Sequence, residues 1–190
     1  MTKPLPTVLL ATALLLSASA HAAGAYVGAN VGNVQHRLSI DGDSGKEHKT
    51  GFKLYGGYAL TENFGVEAGY AHLGKVSKSE SDGFNTASLD YRARALYIAG
   101  TATMPLSPEF SVFAKAGITN NHGKVTARFN GFSDSMSRSN ATAMFGLGAE
   151  YGVAKNMTVV AEYENFGKVI DENDGSTKAQ MISLGLRYKF

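Results

Sequence analysis

The chain contains no cysteine, which excludes a disulfide framework and any thiolate metal site. That absence fits an exported protein. Proline is scarce, with 4 residues in 190, and the formal net charge is only +2. No basic stripe runs along the sequence, so nucleic acid is not expected as a partner. No apolar run reaches the roughly 20 residues that a membrane-spanning helix requires. Glycine, in contrast, is abundant at 22 residues, alongside 9 Tyr and 10 Phe. A glycine-rich chain without aromatics would point to disorder. Here the aromatics recur at regular places, and one folded domain is expected.

The N-terminus reads as a targeting segment. Lys3 supplies a positive charge, Val8 to Leu16 is apolar except for Thr12, and Ala20-His21-Ala22 places small residues at a cleavage site. This is the three-part layout of a secretory signal, and the apolar run is too short to anchor the chain. Residues 1–22 are therefore expected to be a cleaved signal peptide, with the cut after Ala23 as second choice. Residues 23–190 form the mature domain.

Beyond residue 23 the apolar period is two, the period of strands. Phe52, Leu54, Gly56 and Tyr58 share one face, while Lys53, Tyr55, Gly57 and Ala59 share the other. Phe110, Val112, Ala114, Ala116 and Ile118 alternate with Ser111, Phe113, Lys115, Gly117 and Thr119. Eight such runs are expected, at about 24–34, 50–60, 64–74, 88–103, 109–119, 138–152, 157–167 and 178–190. Each is near the about 9–11 residues that a tilted strand needs to cross hydrocarbon. The fourth run is irregular. Asp90, Arg92 and Arg94 share a face that Leu96 and Ile98 continue, so either a bulge near Ala95 or a mixed inner face near one rim is expected.

A soluble β-sandwich also alternates, but three features favour a closed membrane barrel. The polar face is unusually small, with Gly28, Gly57, Gly69, Gly117, Gly148 and Gly185 on it, as a narrow eight-strand interior requires. Connections alternate between short (61–63, 104–108, 153–156) and long and polar (35–49, 75–87, 120–137, 168–177), matching periplasmic turns and outer loops. Aromatics gather at run ends. Tyr58, Phe64, Phe110, Tyr151, Tyr188 and Phe190 fall toward the inner rim, and Phe52, Tyr70, Tyr91 and Tyr163 toward the outer one, as interfacial girdles do. The expected fold is all-β, an eight-stranded antiparallel transmembrane β-barrel in the outer membrane of a Gram-negative bacterium.

The stretch Lys53-Leu54-Tyr55-Gly56-Gly57-Tyr58, followed by Phe64-Gly65-Val66-Glu67-Ala68-Gly69-Tyr70, resembles the small outer-membrane β-barrel families. These include the transmembrane domain of OmpA-type proteins and the opacity and OmpX-like barrels. The ending, with Leu184, Leu186, Tyr188 and Phe190 at alternate positions, is similar to the C-terminal strand that the barrel assembly machinery reads in those families. The resemblance covers residues 23–190 and speaks to architecture more than to activity. It does not extend to a peptidoglycan-binding domain, and no cell-wall tether is expected.

On these face assignments Lys53, Glu67, Lys115, Glu150, Glu162 and Arg187 point into the lumen, joined by Arg92 and Arg94 if the fourth strand keeps register. Unpaired charge in a narrow interior is costly, so the two signs are expected to pair. Two readings stay open: a salt-bridged plug, which the resemblance favours, and a narrow gated ion path.

Chemistry is harder to find. Some small barrels hydrolyse lipid acyl chains with a His and a Ser two residues apart on one strand face, and no such pair occurs here. Without a positioned base a hydroxyl is a weak nucleophile, so no enzyme is expected. Asp41-Gly42-Asp43-Ser44-Gly45 and Asp171-Glu172-Asn173-Asp174-Gly175 depart from the calcium-loop pattern and read as turns. No metal and no cofactor is expected. The expected partners are outer-membrane lipid and lipopolysaccharide, the assembly machinery during insertion, and a host surface or a phage at the outer loops. The third loop, with Lys124, Arg128, Phe129, Phe132, Asp134 and Arg138, is the strongest candidate. Adhesion enters through the resemblance alone.

Overall fold

A computed structural model describes residues 24–40, 43–81, 86–129, 132–172 and 175–190. Eight strands follow one another: β1 (Ala25–Ile40), β2 (Asp43–Ala59), β3 (Phe64–Ser81), β4 (Thr86–Pro105), β5 (Phe110–Phe129), β6 (Phe132–Ala154), β7 (Met157–Glu172) and β8 (Gly175–Lys189). Each pairs antiparallel with its sequence neighbours, and β8 returns to β1, closing the barrel. Among the described residues no helix is long and apolar enough to cross a membrane. Strands make the crossing, and closure leaves no ladder group unpaired in hydrocarbon. The candidate signal peptide, residues 1–22, lies outside the described residues.

Two of the three short connections share a local device. Leu60-Thr61-Glu62-Asn63-Phe64 and Leu106-Ser107-Pro108-Glu109-Phe110 repeat one pattern. In the first, the amides of Leu60 and Thr61 donate to the Phe64 carbonyl, and the Phe64 amide donates to Thr61 Oγ1 at 2.9 Å. In the second, Leu106 and Ser107 donate to the Phe110 carbonyl, and the Phe110 amide donates to Ser107 Oγ at 3.0 Å. A hydroxyl at the second position thus closes each turn from within, as Ser and Thr do in tight turns.

The outer connections differ from the expectation of long loops. The polar segments at 35–49, 75–87, 120–137 and 168–177 are largely strand, and the hairpins continue as two-stranded ribbons. In the third, pairing runs from Asn121↔Asn140 to Phe129↔Phe132, nine pairs beyond the membrane wall, or roughly 30 Å at about 3.4 Å per residue. Polar composition removes the hydrophobic signature that marks a strand, while backbone pairing needs none. The turns of Asp41-Gly42 and Asn173-Asp174, and the side chains of Phe129 and Phe132, lie outside the described residues.

The fourth strand also departs from expectation. β4 pairs with β5 without interruption from Ala87↔Phe129 to Pro105↔Ser111, so no bulge lies at Ala95. The irregularity is on β3, where His72 pairs with Arg94 but Lys75 pairs with Arg92. Leu73 and Gly74 together oppose Ala93, and Gly74 takes φ of +92°, a conformation that favours glycine. Ala93, Ala95, Tyr97 and Ala99 are buried inward, whereas Arg92, Arg94, Leu96 and Ile98 are exposed on the outer wall. Placing Arg94 in the lumen network is therefore incorrect. The alternation through Leu96 and Ile98 is unbroken, and the two arginines simply lie above the apolar band on the same face.

The outer wall is otherwise apolar as expected, with Val31, Leu54, Leu96, Ile118, Leu147 and Ile182 all more than half exposed. Tyr58, Phe64, Phe110, Tyr151, Tyr188 and Phe190 are exposed at the inner rim. Phe52 and Tyr70 adjoin at the outer rim, ring centroids 6.3 Å apart.

The inward glycines have a specific cause. Gly28 pairs with Tyr55, Gly57 with Tyr26, Gly69 with Tyr97 and Gly148 with Phe113. A Cβ added at any of the four would overlap the ring of its partner. Each glycine is the slot into which an inward aromatic from the neighbouring strand folds. The interior is filled by rings lying across missing side chains, in keeping with the close packing of protein interiors.

Candidate functional site

The lumen holds one continuous ion-pair network. β2 contributes Lys53, β3 Glu67, β5 Lys115, β6 Glu150, β7 Glu162 and Glu164, and β8 Arg187, and all are buried. Lys115 is the hub. Its Nζ lies 2.9 Å from Glu67 Oε1 and 2.6 Å from Glu164 Oε1, and it also pairs with Glu162. Lys53 pairs with Glu162 and lies 2.9 Å from Glu164 Oε2. Arg187 donates from Nη1 to Glu150 Oε2 at 2.6 Å and places Nη2 3.5 Å from Glu67 Oε2. Three buried cations face four buried carboxylates. Lys189, half exposed at the inner mouth, supplies the fourth cation at 3.0 Å from Glu150 Oε1. Balanced charge with short contacts is the condition under which buried ions are tolerated.

Aromatic hydroxyls and faces complete the network. Tyr97 donates to Glu67 Oε1 at 2.7 Å, and Tyr26 to Glu67 Oε2 at 3.2 Å. The Arg187 guanidinium lies 4.4 Å from the Tyr26 ring centroid, and Lys53 Nζ 4.6 Å from that of Tyr55. These are cation–π distances. The glycine slots explain why the rings fit, because each tyrosine lies flat enough to present its face to a neighbouring cation.

A second buried layer lies in the outer half. The β7–β8 register shifts between Asn165 and Lys168, where Gly167 has φ of +66°, and Phe166 is fully buried in the lumen. Asn121 of β5 reaches past β6 and donates from Nδ2 to the β7 carbonyls of Phe166 at 2.7 Å and Lys168 at 3.1 Å. Leu73, Met144 and Met181 pack in the same buried cluster. A cavity of 290 Å³ remains at the inner mouth, with Arg187, Glu150 and Tyr26 among its lining residues.

The six lumen charges expected outright, Lys53, Glu67, Lys115, Glu150, Glu162 and Arg187, thus meet in one network, whereas Arg92 and Arg94, expected there on condition of register, lie exposed on the outer wall. Glu164 was missed, although it follows Glu162 at the strand period and lies on the same face. Tyr26 and Tyr97 were missed because tyrosine in a membrane strand suggests the interfacial girdle. The opposing Gly57 and Gly69 were the available signal. Leu184, Leu186, Tyr188 and Phe190 all face outward along β8, with Tyr188 and Phe190 in edge contact at 5.2 Å.

One contact was invisible along the sequence. His122 Nδ1 lies 2.8 Å from Ser139 Oγ, from β5 to β6 on the outer wall. A search along single strands cannot find a pair that forms between strands. The pair still lacks the parts acyl transfer requires. Among the described residues no carboxylate holds the other ring nitrogen, and the neighbouring strand amides belong to the ladder rather than to an oxyanion site.

Fold and interior together point to the small outer-membrane barrels. The sequence matches the family described as "Outer membrane protein beta-barrel domain" over residues 7–190. The chain belongs to this family. It is accordingly an integral β-barrel protein of the bacterial outer membrane. It is similar to the attachment invasion locus protein of Yersinia pseudotuberculosis, with 25% identity over 161 residues, 84% of this chain and 82% of that protein. In fold it is similar to Ail, the attachment invasion locus protein of Yersinia pestis, crystallised with the heparin analogue sucrose octasulfate. There the identity is 22% and the TM-score 0.59, over 87% of this chain and 99% of that one. It is also similar in fold to Neisserial surface protein A, with 15% identity and a TM-score of 0.64, over 88% and 97% of the two chains.

Proposed function

We propose that the protein is a closed, non-catalytic scaffold that holds four ribbons above the outer membrane and attaches the cell to an anionic surface through the third. The observation that carries this reading is the doubly filled lumen. A barrel occupied by an ion-pair layer and by the Phe166–Asn121 layer leaves little room for a conduction path, so the outward ribbons are the parts left to act. Segment 121–140 carries Lys124, Arg128 and Arg138 against Asp134 alone, and it is the most basic of the four outer segments. The relative bound to a sulfated sugar supports an anionic partner of that kind. Removal of residues 1–22 as a signal peptide, and recognition of the exposed Leu184–Phe190 stripe by the assembly machinery, belong to the same reading.

Neutralising Arg128 and Arg138 together (Arg128→Ala with Arg138→Ala) is expected to weaken attachment of cells displaying the protein to heparin-coated surfaces by about tenfold, because charge-assisted contacts to sulfate are lost. Rising salt should weaken wild-type attachment in the same direction. Unchanged attachment by a correctly folded variant would remove the third ribbon from this role. A phage receptor role would appear instead as phage resistance of the same variant.

A further inference from the structure

We propose that the open edge of β6 in the third ribbon is a self-pairing strand, which joins the protein to a second copy of itself on an apposed membrane. β7 pairs with β6 only as far as Phe145↔Asn165. Past its bulge β7 continues with β8, and Asn140 of β6 ties to it through a side chain, donating from Nδ2 to the Lys168 carbonyl at 3.2 Å. Beyond Asn140, β6 pairs with β5 on one side, from His122↔Ser139 to Phe129↔Phe132, and among the described residues with no strand on the other. β7 ends at Glu172, nearer to Lys168 than Phe132 is to Asn140, so the third ribbon outreaches its neighbour. An open edge is a row of unpaired amides and carbonyls, a template for another strand.

The sequence of that edge is self-complementary. It reads Ser133-Asp134-Ser135-Met136-Ser137-Arg138-Ser139, symmetric about Met136 except that an acid on one side answers a base on the other. Laid antiparallel on a second copy with Met136 opposite Met136, the edge sets Asp134 against Arg138 twice and Ser135 against Ser137 twice. Opposed residues share a face, with Cβ atoms about 5 Å apart. Positions 134, 136 and 138 alternate at the strand period, so both ion pairs and the methionine contact fall on one face. A slip of one or two residues either way loses both ion pairs, which specifies the register. The groups are available for this. Asp134, Met136 and Arg138 are exposed, and the β5 residues opposite the two charges are Ala127 and Gly123. Among the described residues neither charge forms an ion pair. Edge strands are commonly blunted by lysine, proline or a bulge. Residues 133–139 contain neither lysine nor proline, and their pairing with β5 has no register shift. The two charges instead select the partner, favouring this edge over an arbitrary strand.

Orientation identifies where the second copy stands. Two copies in one membrane point the same way, and a two-fold axis along the membrane normal brings their β6 edges together parallel or crossed, never antiparallel. The antiparallel register turns one copy over, with the two-fold axis lying between two facing membranes. The interface is isologous, the same edge on both sides. The third ribbon reaches roughly 30 Å beyond the wall at about 3.4 Å per residue, so the edges of two facing copies overlap before their membranes meet.

The test is clustering of phosphatidylcholine vesicles that carry the full chain, followed by light scattering, with folding verified by heat-dependent gel mobility. Wild-type vesicles are expected to cluster. Asp134→Lys opposes base to base and Arg138→Asp acid to acid, so each variant alone is expected to cluster at least about tenfold less. A mixture of the two restores both ion pairs. With the populations labelled red and green, the mixture is expected to cluster as wild type does, each contact joining red to green. The chain has no cysteine, so Met136→Cys adds a single thiol. Oxidation of those clustered vesicles is expected to yield a disulfide-linked dimer, because the register sets that position opposite itself. Arg138 also belongs to the attachment proposed above, and Asp134→Lys separates the two roles. It adds positive charge to the ribbon and should keep heparin binding while losing self-clustering. Dispersed wild-type vesicles, folded single variants that cluster as wild type does, or a mixture of folded variants that stays dispersed overturns the proposal. A Met136→Cys dimer formed between copies in one dispersed vesicle would overturn the apposed arrangement.

Discussion

Lys115→Met is expected to lower the unfolding free energy of the barrel by about 3–5 kcal/mol, the range for breaking a buried ion pair by removing one partner. Lys115 is 3% exposed and touches Glu67, Glu162 and Glu164. Without it, two buried cations face four carboxylates, and Lys53 is the one cation still paired with Glu162 and Glu164 among the described residues. The loss is thus dominated by carboxylates left without a partner rather than by the packing of one aliphatic stem. Adding Glu164→Leu to Lys115→Met should recover a substantial part of the stability, since apolar replacement of both members of a buried pair is often close to neutral. Urea titration of the barrel in lipid vesicles measures both. A loss below about 1 kcal/mol for the single variant would mean that the lumen ions behave as solvated charges and are not a closed network.

Gly185→Val is expected to abolish assembly of the closed barrel. Gly185 pairs with Asn30 across the β1–β8 seam. A Cβ there would overlap the Ala29 carbonyl oxygen and the Asn30 side chain and would come within 2.6 Å of Asn30 Cα. Much of that obstruction is backbone, which cannot rotate away, and the seam is where the first and last strands must meet. The control is Gly100→Val. Gly100 faces outward, and an added Cβ meets only the Ala116 carbonyl at 4.0 Å. That variant should fold normally. Heat-dependent gel mobility distinguishes the two, with the folded band absent for the first and present for the second. A folded band for Gly185→Val would show that the seam tolerates a wider spacing than the register implies.

The legible and illegible parts of this protein divide along a physical line. Period-two alternation survives wherever one face meets lipid, so Leu184, Leu186, Tyr188 and Phe190 announced a strand, and Lys53, Lys115 and Arg187 announced its inner face. Where a strand's sequence is polar on both faces the alternation vanishes, and the ribbons of 35–49, 75–87, 120–137 and 168–177 looked like loops. Arg94 was misplaced because charge was taken as a mark of the interior, whereas above the apolar band a lipid-facing strand presents charge too. His122 and Ser139 could not be joined from the sequence because strand register, which brings them together, is a property of pairing. The tyrosine–glycine slots lie between these extremes. Gly28 opposite Tyr55 is simple to recognise once register is known and has no signature along either strand alone.

The proposed function rests on a lumen closed by a buried ion-pair network and by the Phe166–Asn121 layer. The most direct measurement is single-channel conductance of the full chain in planar bilayers, with folding verified by heat-dependent gel mobility. No resolved openings are expected from the folded protein, and none from Arg128→Ala, a position near the end of β5 in the outer ribbon. Sustained discrete openings from the folded wild type, altered in size by Glu67→Ala or Lys115→Ala, would contradict it and make the lumen a gated path.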